Sequence, residues 1–220
     1  GAVSNFAQDR PSAEAFLDAG CGRFDMFYMI GLPTQTMESV QETVRYAERL
    51  CERFKAKRLL PFISPLAPFL DPGGNAFEDP ENYGFRLFAS TLEDHVKLAT
   101  MPSWKYVLNY ETKWMTRGQI VDAAYSAGLG LNGIKKKMGL VPEDVADRTE
   151  GRIVAAHALS KKIDSIVGKG KATGHEMDEL REAAFALSES TICEKGELDW
   201  TENTVYASLP RMTASLLRRK

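Results

Sequence analysis

The stretch Phe24-Asp25-Met26-Phe27-Tyr28-Met29-Ile30 is a nearly continuous apolar run, rich in aromatics. Such a run fits a strand covered on both faces, as in a parallel sheet. It stops at Gly31-Leu32-Pro33-Thr34-Gln35-Thr36, where Gly and Pro break the strand and Thr36 can cap a helix. Beyond it Met37, Val40, Val44, Ala47, Cys51 and Phe54 recur at spacings of three and four. They make one apolar stripe on a helix whose other face carries Glu and Arg. On that stripe Cys51 reads as core packing. Arg58-Leu59-Leu60-Pro61-Phe62-Ile63 then predicts a second strand. Strand, helix and strand form a βαβ unit with a right-handed crossover.

Before this unit, residues 11–20 predict a short helix, with Ser12 as cap, Glu14 in its first turn and Gly20 at its end. After it, residues 61–80 are rich in Pro and Gly, with Phe62, Phe69 and Phe77 interleaved. Prolines remove donors and fix φ, so this reads as an ordered loop. From about residue 85 the pattern is helical throughout. Leu92 and Val96 mark one helix. Thr116 with Gln119 is a capping-box pattern, followed by the stripe Ile120, Ala124, Ala127, Leu131, Ile134 and Met138. Pro142 suits the first turn of the next helix, which carries Ile153, Ala156, Leu159, Ile163 and Ile166. Thr173 and Glu176 open a further helix to about Ser188, and the tail from Asp199 to Lys220 holds Trp200, Tyr206 and a last helical piece. Only two strands are evident. A parallel pair needs cover and partner strands. The expectation is therefore a fragment of a longer cytoplasmic protein whose preceding strands lie upstream.

Composition adds exclusions. The net charge of -2 lacks the Lys and Arg excess that non-specific nucleic-acid binding needs, and Arg218-Arg219-Lys220 is too short a run to change this. No apolar run is long enough to span a bilayer, and no signal-peptide pattern opens the chain. Neither a nucleic-acid nor a membrane partner is expected. Cys21, Cys51 and Cys193 lie far apart, as do His95, His157 and His175. Neither a disulfide framework nor a local metal site follows from such spacing.

The block Asp25 to Thr36, with Glu38 and Ser39 in the first turn of the next helix, resembles the radical S-adenosylmethionine (SAM) superfamily. Many of its members have a strand ending in Gly-Leu-Pro, then Gln-Thr, then an amphipathic helix. Pro61-Phe62-Ile63-Ser64-Pro65-Leu66-Ala67-Pro68-Phe69-Leu70-Asp71-Pro72-Gly73 and the block Trp104 to Arg117 resemble one subgroup. That subgroup joins a cobalamin-binding domain to a radical SAM domain. The resemblance covers roughly residues 10–140. It implies an α/β fold, a partial (β/α) barrel fragment over 1–82, followed by a mainly helical C-terminal extension over 83–220.

For the intact protein the resemblance implies SAM, a 4Fe-4S cluster and cobalamin, in radical or methyl-transfer chemistry. The cluster cysteines form a C-x-x-x-C-x-x-C pattern that is absent here, so no cofactor is expected in this chain alone and its partners would be the missing cobalamin and radical SAM regions. The SAM-contacting residues it implies are Phe27, Met29, Ile30 and Gly31 on the first strand, with Ser64 and Pro65 at the matching rim of the second. Phe27 stands where some relatives carry an acidic residue, and Asp25 lies on the same strand face. Phe27 and Met29 read equally well as barrel core. Asp71 before Pro72 reads as a turn former. Trp104, Tyr110, Glu111, Lys113 and Arg117 mix aromatics with fixed polar groups, which suits a substrate pocket and also an ordinary domain interface. The competing reading is a non-catalytic helical recognition or dimerisation module. An unpaired strand edge recruits other chains, so a homodimer through residues 24–33 or 58–70 is expected unless the helices fold back over the pair.

Overall fold

The computed structural model describes residues 22–54, 59–65, 70–101 and 103–169, with Leu17 and the helical positions His175, Glu176, Glu179, Leu180, Glu182 and Ala183. Leu17 is helical and buried, and the remainder of the helices expected over 11–20 and 173–188, and the tail, lie outside the described residues.

Strand β1 (Phe24–Ile30) is followed by helix α1 (Met37–Phe54) and strand β2 (Leu59–Pro65). The two strands are parallel and in register from Phe24 opposite Leu59 to Ile30 opposite Pro65, as the βαβ pattern predicts. Thr36 caps α1: its hydroxyl accepts from the Ser39 N–H at 3.2 Å, while its own N–H donates to the Ser39 hydroxyl at 2.9 Å. Val40, Ala47 and Cys51 of the expected stripe are buried, and Met37, Val44 and Phe54 pack around them. Tyr46 and Leu50 are buried too, which makes the apolar face broader than the predicted stripe.

A turn follows at Asp71–Gly74, closed by the Gly74 N–H donating to the Asp71 carbonyl at 3.0 Å. Pro72 fixes φ at its second position and Gly73 supplies φ 84 at its third. Asp71 is exposed, in keeping with its reading as a turn former. Short helix α2 (Asn75–Glu78) leads to strand β3 (Phe85–Leu87), helix α3 (Leu92–Ala99), helix α4 (Trp104–Val107) and strand β4 (Tyr110–Thr112). The long helices α5 (Arg117–Lys137) and α6 (Glu143–Lys169) follow.

The purely helical reading beyond residue 85 is corrected here. β3 and β4 form a second, antiparallel sheet, with Phe85 opposite Thr112, Arg86 opposite Glu111 and Leu87 opposite Tyr110. Three-residue strands are too short to show an alternation that distinguishes them from helix.

Helix α5 starts with the expected capping box between Thr116 and Gln119. It buries Ile120, Ala124, Ala127, Leu131 and Ile134 as the stripe predicts. It lies so close to the βαβ unit that a Cβ on Gly130 would stand 2.8 Å from Val44 Cγ1, and one on Gly128 would stand 3.9 Å from Ile63 Cγ2. The small residues of α5 thus let a helix pack closely against one face of the strand pair. One buried cluster joins Ile30, Val40 and Leu59 to Leu108, Ile120 and Leu131, so residues on both sides of position 82 share a core. Within the described residues the fold is mixed α/β and mostly helical, with small sheets.

Candidate functional site

The C-terminal ends of β1 and β2 lie side by side, because the register sets Met29 beside Ser64 and Ile30 beside Pro65. Of the residues implied to contact SAM, Met29, Ile30, Gly31, Ser64 and Pro65 therefore share one rim, and Phe27 lies lower on β1, opposite Phe62. On β1, Ile30 points into the core at 1% exposure, while Phe27 (58%) and Met29 (43%) lie open on the opposite face. These two are not core side chains among the described residues. Phe27 stacks on buried Phe62 with centroids 5.2 Å apart and planes at 19°, and the Lys135 ammonium stands 4.7 Å from the Phe62 ring. Lys135 is itself buried in α5. A cation over an aromatic face is favourable.

The turn after β1 is held by one side chain. The buried Gln35 amide oxygen accepts from the Gly31 and Leu32 N–H groups, both at 3.0 Å, and its NH2 donates to the Met29 carbonyl at 2.9 Å. Gly31 has φ 91, which glycine adopts without strain. Gln35 thus engages backbone polar atoms of this turn that a ligand would otherwise meet. The exposed surface left beside it is the apolar wall of Phe27 and Met29.

Tyr110 closes the turn from below. It is fully buried, edge-on to Phe85 at 5.4 Å, and a Cβ on Gly31 would stand 2.5 Å from its hydroxyl oxygen. That hydroxyl has no hydrogen-bond partner among the described residues, and burial raises its pKa above the usual tyrosine range. The Gly-Leu-Pro turn and the Trp104–Arg117 block therefore meet at one contact, Gly31 against Tyr110.

The other residues of that block do not converge on it. Trp104 donates its indole N–H to the Tyr125 hydroxyl at 3.0 Å. Glu111 pairs with Arg86 at 3.0 Å. Lys113 donates to the Glu81 carbonyl at 2.9 Å. Arg117 lies 3.8 Å from the Phe88 ring centroid and donates to the Leu108 carbonyl at 3.2 Å. Burial lowers the Arg117 pKa, and the nearby Glu111 carboxylate opposes that shift. No family model, curated protein or solved structure matches this chain. Of the block's own contacts, those of α4 fasten helices. Lys105 and the Tyr106 hydroxyl both donate to Asp164, at 2.7 and 2.9 Å, tying α4 to α6. Tyr125 stacks on His157 at 4.7 Å, and the Asp122 carboxylate bridges His157 and Lys161.

Asn109, one of the polar residues of the Trp104–Arg117 block, is an organising residue whose partners the sequence pattern does not reveal. It is fully buried, its oxygen accepts from the Leu70 N–H at 2.9 Å, and its NH2 donates to His95 Nε2 at 2.9 Å. His95 Nδ1 then carries the proton, which it donates to the Thr91 carbonyl at 2.8 Å. A polar residue inside a short strand-like segment carries no periodic signal, and its partners are remote in sequence.

Among the described residues no group of three or more His, Cys, Asp or Glu could hold a metal ion. Cys51 is buried in α1, and its thiol is pushed up to about 11 by burial and by Glu48 and Glu52. These residues do not fit an iron–sulfur cluster, which needs several thiolates together. No described helix is long and apolar enough to cross a membrane. A half-open cavity of about 550 Å³ lies away from the β1 rim, between α3, Val107 of α4 and the Pro72 turn.

Proposed function

We propose that this chain is the C-terminal part of a radical SAM enzyme of the cobalamin-binding kind. In this reading β1 and β2 are the last strands of its (β/α) barrel, and their C-terminal rim takes the adenosyl end of SAM. The observation that carries it is the register of Met29 with Ser64 and of Ile30 with Pro65, beside an open apolar face of Phe27 and Met29. In α/β barrels the C-terminal ends of the strands form the active-site face.

Each residue has a defined part. Phe27, backed by Phe62, and Met29 give adenine a flat apolar wall. Gln35 holds the turn shut, and Tyr110 sets its height by resting on Gly31. Ser64 and Pro65 form the adjoining rim. Trp104 ties α4 to α5, and Glu111 pairs with Arg86 across the β3–β4 sheet. Lys113 holds the turn at Glu81, and Arg117 holds the segment before β4 through the Leu108 carbonyl, so these four act at a distance, by supporting β4. Bound at this rim, SAM would supply the radical or methyl chemistry that the resemblance implies. The cluster would be held by cysteines elsewhere in the intact protein.

Photo-labelling of the intact protein with an azido-adenine analogue of SAM tests this. The label is expected on the peptide containing Phe27 and Met29, and a Phe27→Ala, Met29→Ala variant with unchanged circular dichroism should lose it. Labelling confined to other peptides would overturn the assignment.

A further inference from the structure

Helix α3 is built against expectation for so short an element. Eight-residue helices are marginal in water, and tertiary packing of an apolar face normally stabilises them. Here no residue of α3 is buried. Leu92 is 82% exposed and Val96 57%, and with Ala99 they follow one another at spacings of four and three on one face. This stripe borders the cavity of about 550 Å³, whose far walls are Pro72 and Val107. Beside it runs a charged row in which Lys97 pairs with Glu93 at 2.9 Å, with both side chains well exposed.

We propose that α3 is the contact surface for a second copy of this chain, packed antiparallel across a two-fold axis near His95 and Val96. The residue pattern is self-complementary in that arrangement. A two-fold turn about the helix middle sets Leu92 of each copy against Ala99 of the other, large against small, with the two Val96 side chains meeting near the axis. Each Leu92 side chain then enters the other copy's cavity. In antiparallel helices a flanking row faces its own counterpart, so Glu93 of each copy meets Lys97 of the other. Four charges alternate in sign, which favours this register and disfavours a parallel one.

The cavity suits an apolar knob better than a polar ligand. The Thr91 hydroxyl is occupied by Asp94, and both His95 nitrogens are occupied, by Thr91 and Asn109. The Thr91 and His95 side chains that could orient a small polar molecule are thus already engaged, and the rest of the lining is mostly apolar. One helix about 12 Å long covers less than the roughly 800 Å² per partner of a standard interface. The association is therefore weak and concentration-dependent. It uses a different surface from the strands and stands independently of any SAM-binding role.

Sedimentation velocity on the 220-residue chain across a dilution series tests the proposal. The mass should rise with concentration towards twice the monomer. Leu92→Lys, at a position too exposed to disturb the fold, should leave a monomer at every concentration. Glu93→Lys and Lys97→Glu should each weaken association by about tenfold, and the double swap should restore it, because it rebuilds the alternating charges. Phe27→Lys should change nothing. A monomer throughout the series, a dimer that survives Leu92→Lys, a double swap no better than the singles, or a dimer lost with Phe27→Lys would each overturn it.

Discussion

The Tyr110 ring rests on Gly31, so closely that any Cβ at position 31 would stand 2.5 Å from the tyrosine oxygen. Gly31 also has φ 91, so a side chain there is strained as well as crowded. Gly31→Ala should therefore cost about 2–4 kcal/mol. Tyr110→Phe removes a buried hydroxyl without a described partner and should be neutral or stabilising, within about 1 kcal/mol. In the Tyr110→Phe background the alanine should cost less, because the closest atom is gone. A double-mutant cycle by urea unfolding measures this coupling. Strict additivity would show that the two residues do not share the contact.

Gln35 makes three hydrogen bonds to the same turn. Gln35→Ala leaves the Gly31 and Leu32 N–H groups and the Met29 carbonyl without that partner, at a cost of about 2–3 kcal/mol. Hydrogen exchange should show the Gly31 and Leu32 amides losing protection while the α1 amides keep theirs. Unchanged exchange at these two amides would mean that the turn is held by something other than Gln35.

Periodicity exposed the long elements and missed what joins them. The stripes of α1 and α5 were readable because three-and-four spacing survives wherever a helix lies against one flat neighbour. Tyr46 and Leu50 escaped it because α1 meets both β2 and α5, which widens the buried face beyond one stripe. Lys135 escaped because its charge argues for solvent, whereas its ammonium sits by the Phe62 ring. Of the site, the turn residues were legible as a motif, and the work of Gln35 was not. The meeting of Gly31 with Tyr110 could not be read at all, since a single sequence carries no signal for pairs so distant along the chain.

Cys51 links pH to stability. Its thiol is raised from an ordinary 9.0 to about 11 by burial, with smaller effects of Glu48 and Glu52. Below pH 9.0 the thiol is protonated in both folded and unfolded chains, and the fold keeps its full stability. Above it the unfolded thiol ionises and the folded one does not, so stability falls until the pH passes about 11. The loss should approach about 2–3 kcal/mol, and Cys51→Ala should abolish this part of the slope. In a Cys21→Ser, Cys193→Ser background the native thiol should also resist alkylation at neutral pH and react once the chain unfolds. Fast alkylation of the native chain would contradict a buried, protonated Cys51.

Anaerobic reconstitution with iron and sulfide should leave this chain without a cluster, because Cys51 is buried and no described group gathers the thiolates a cluster requires. Near-stoichiometric cluster iron per chain, lost on replacing the cysteines, would refute this.

The proposal that the β1–α1–β2 unit is the end of a radical SAM barrel requires the earlier strands of that barrel to lie upstream of it. Determining the reading frame upstream of Gly1 tests it most directly. Strands and helices continuing the barrel are expected there, with a C-x-x-x-C-x-x-C motif among them and a cobalamin-binding domain before it. A frame that encodes no such cysteine triple, or that starts immediately before Gly1, would contradict it.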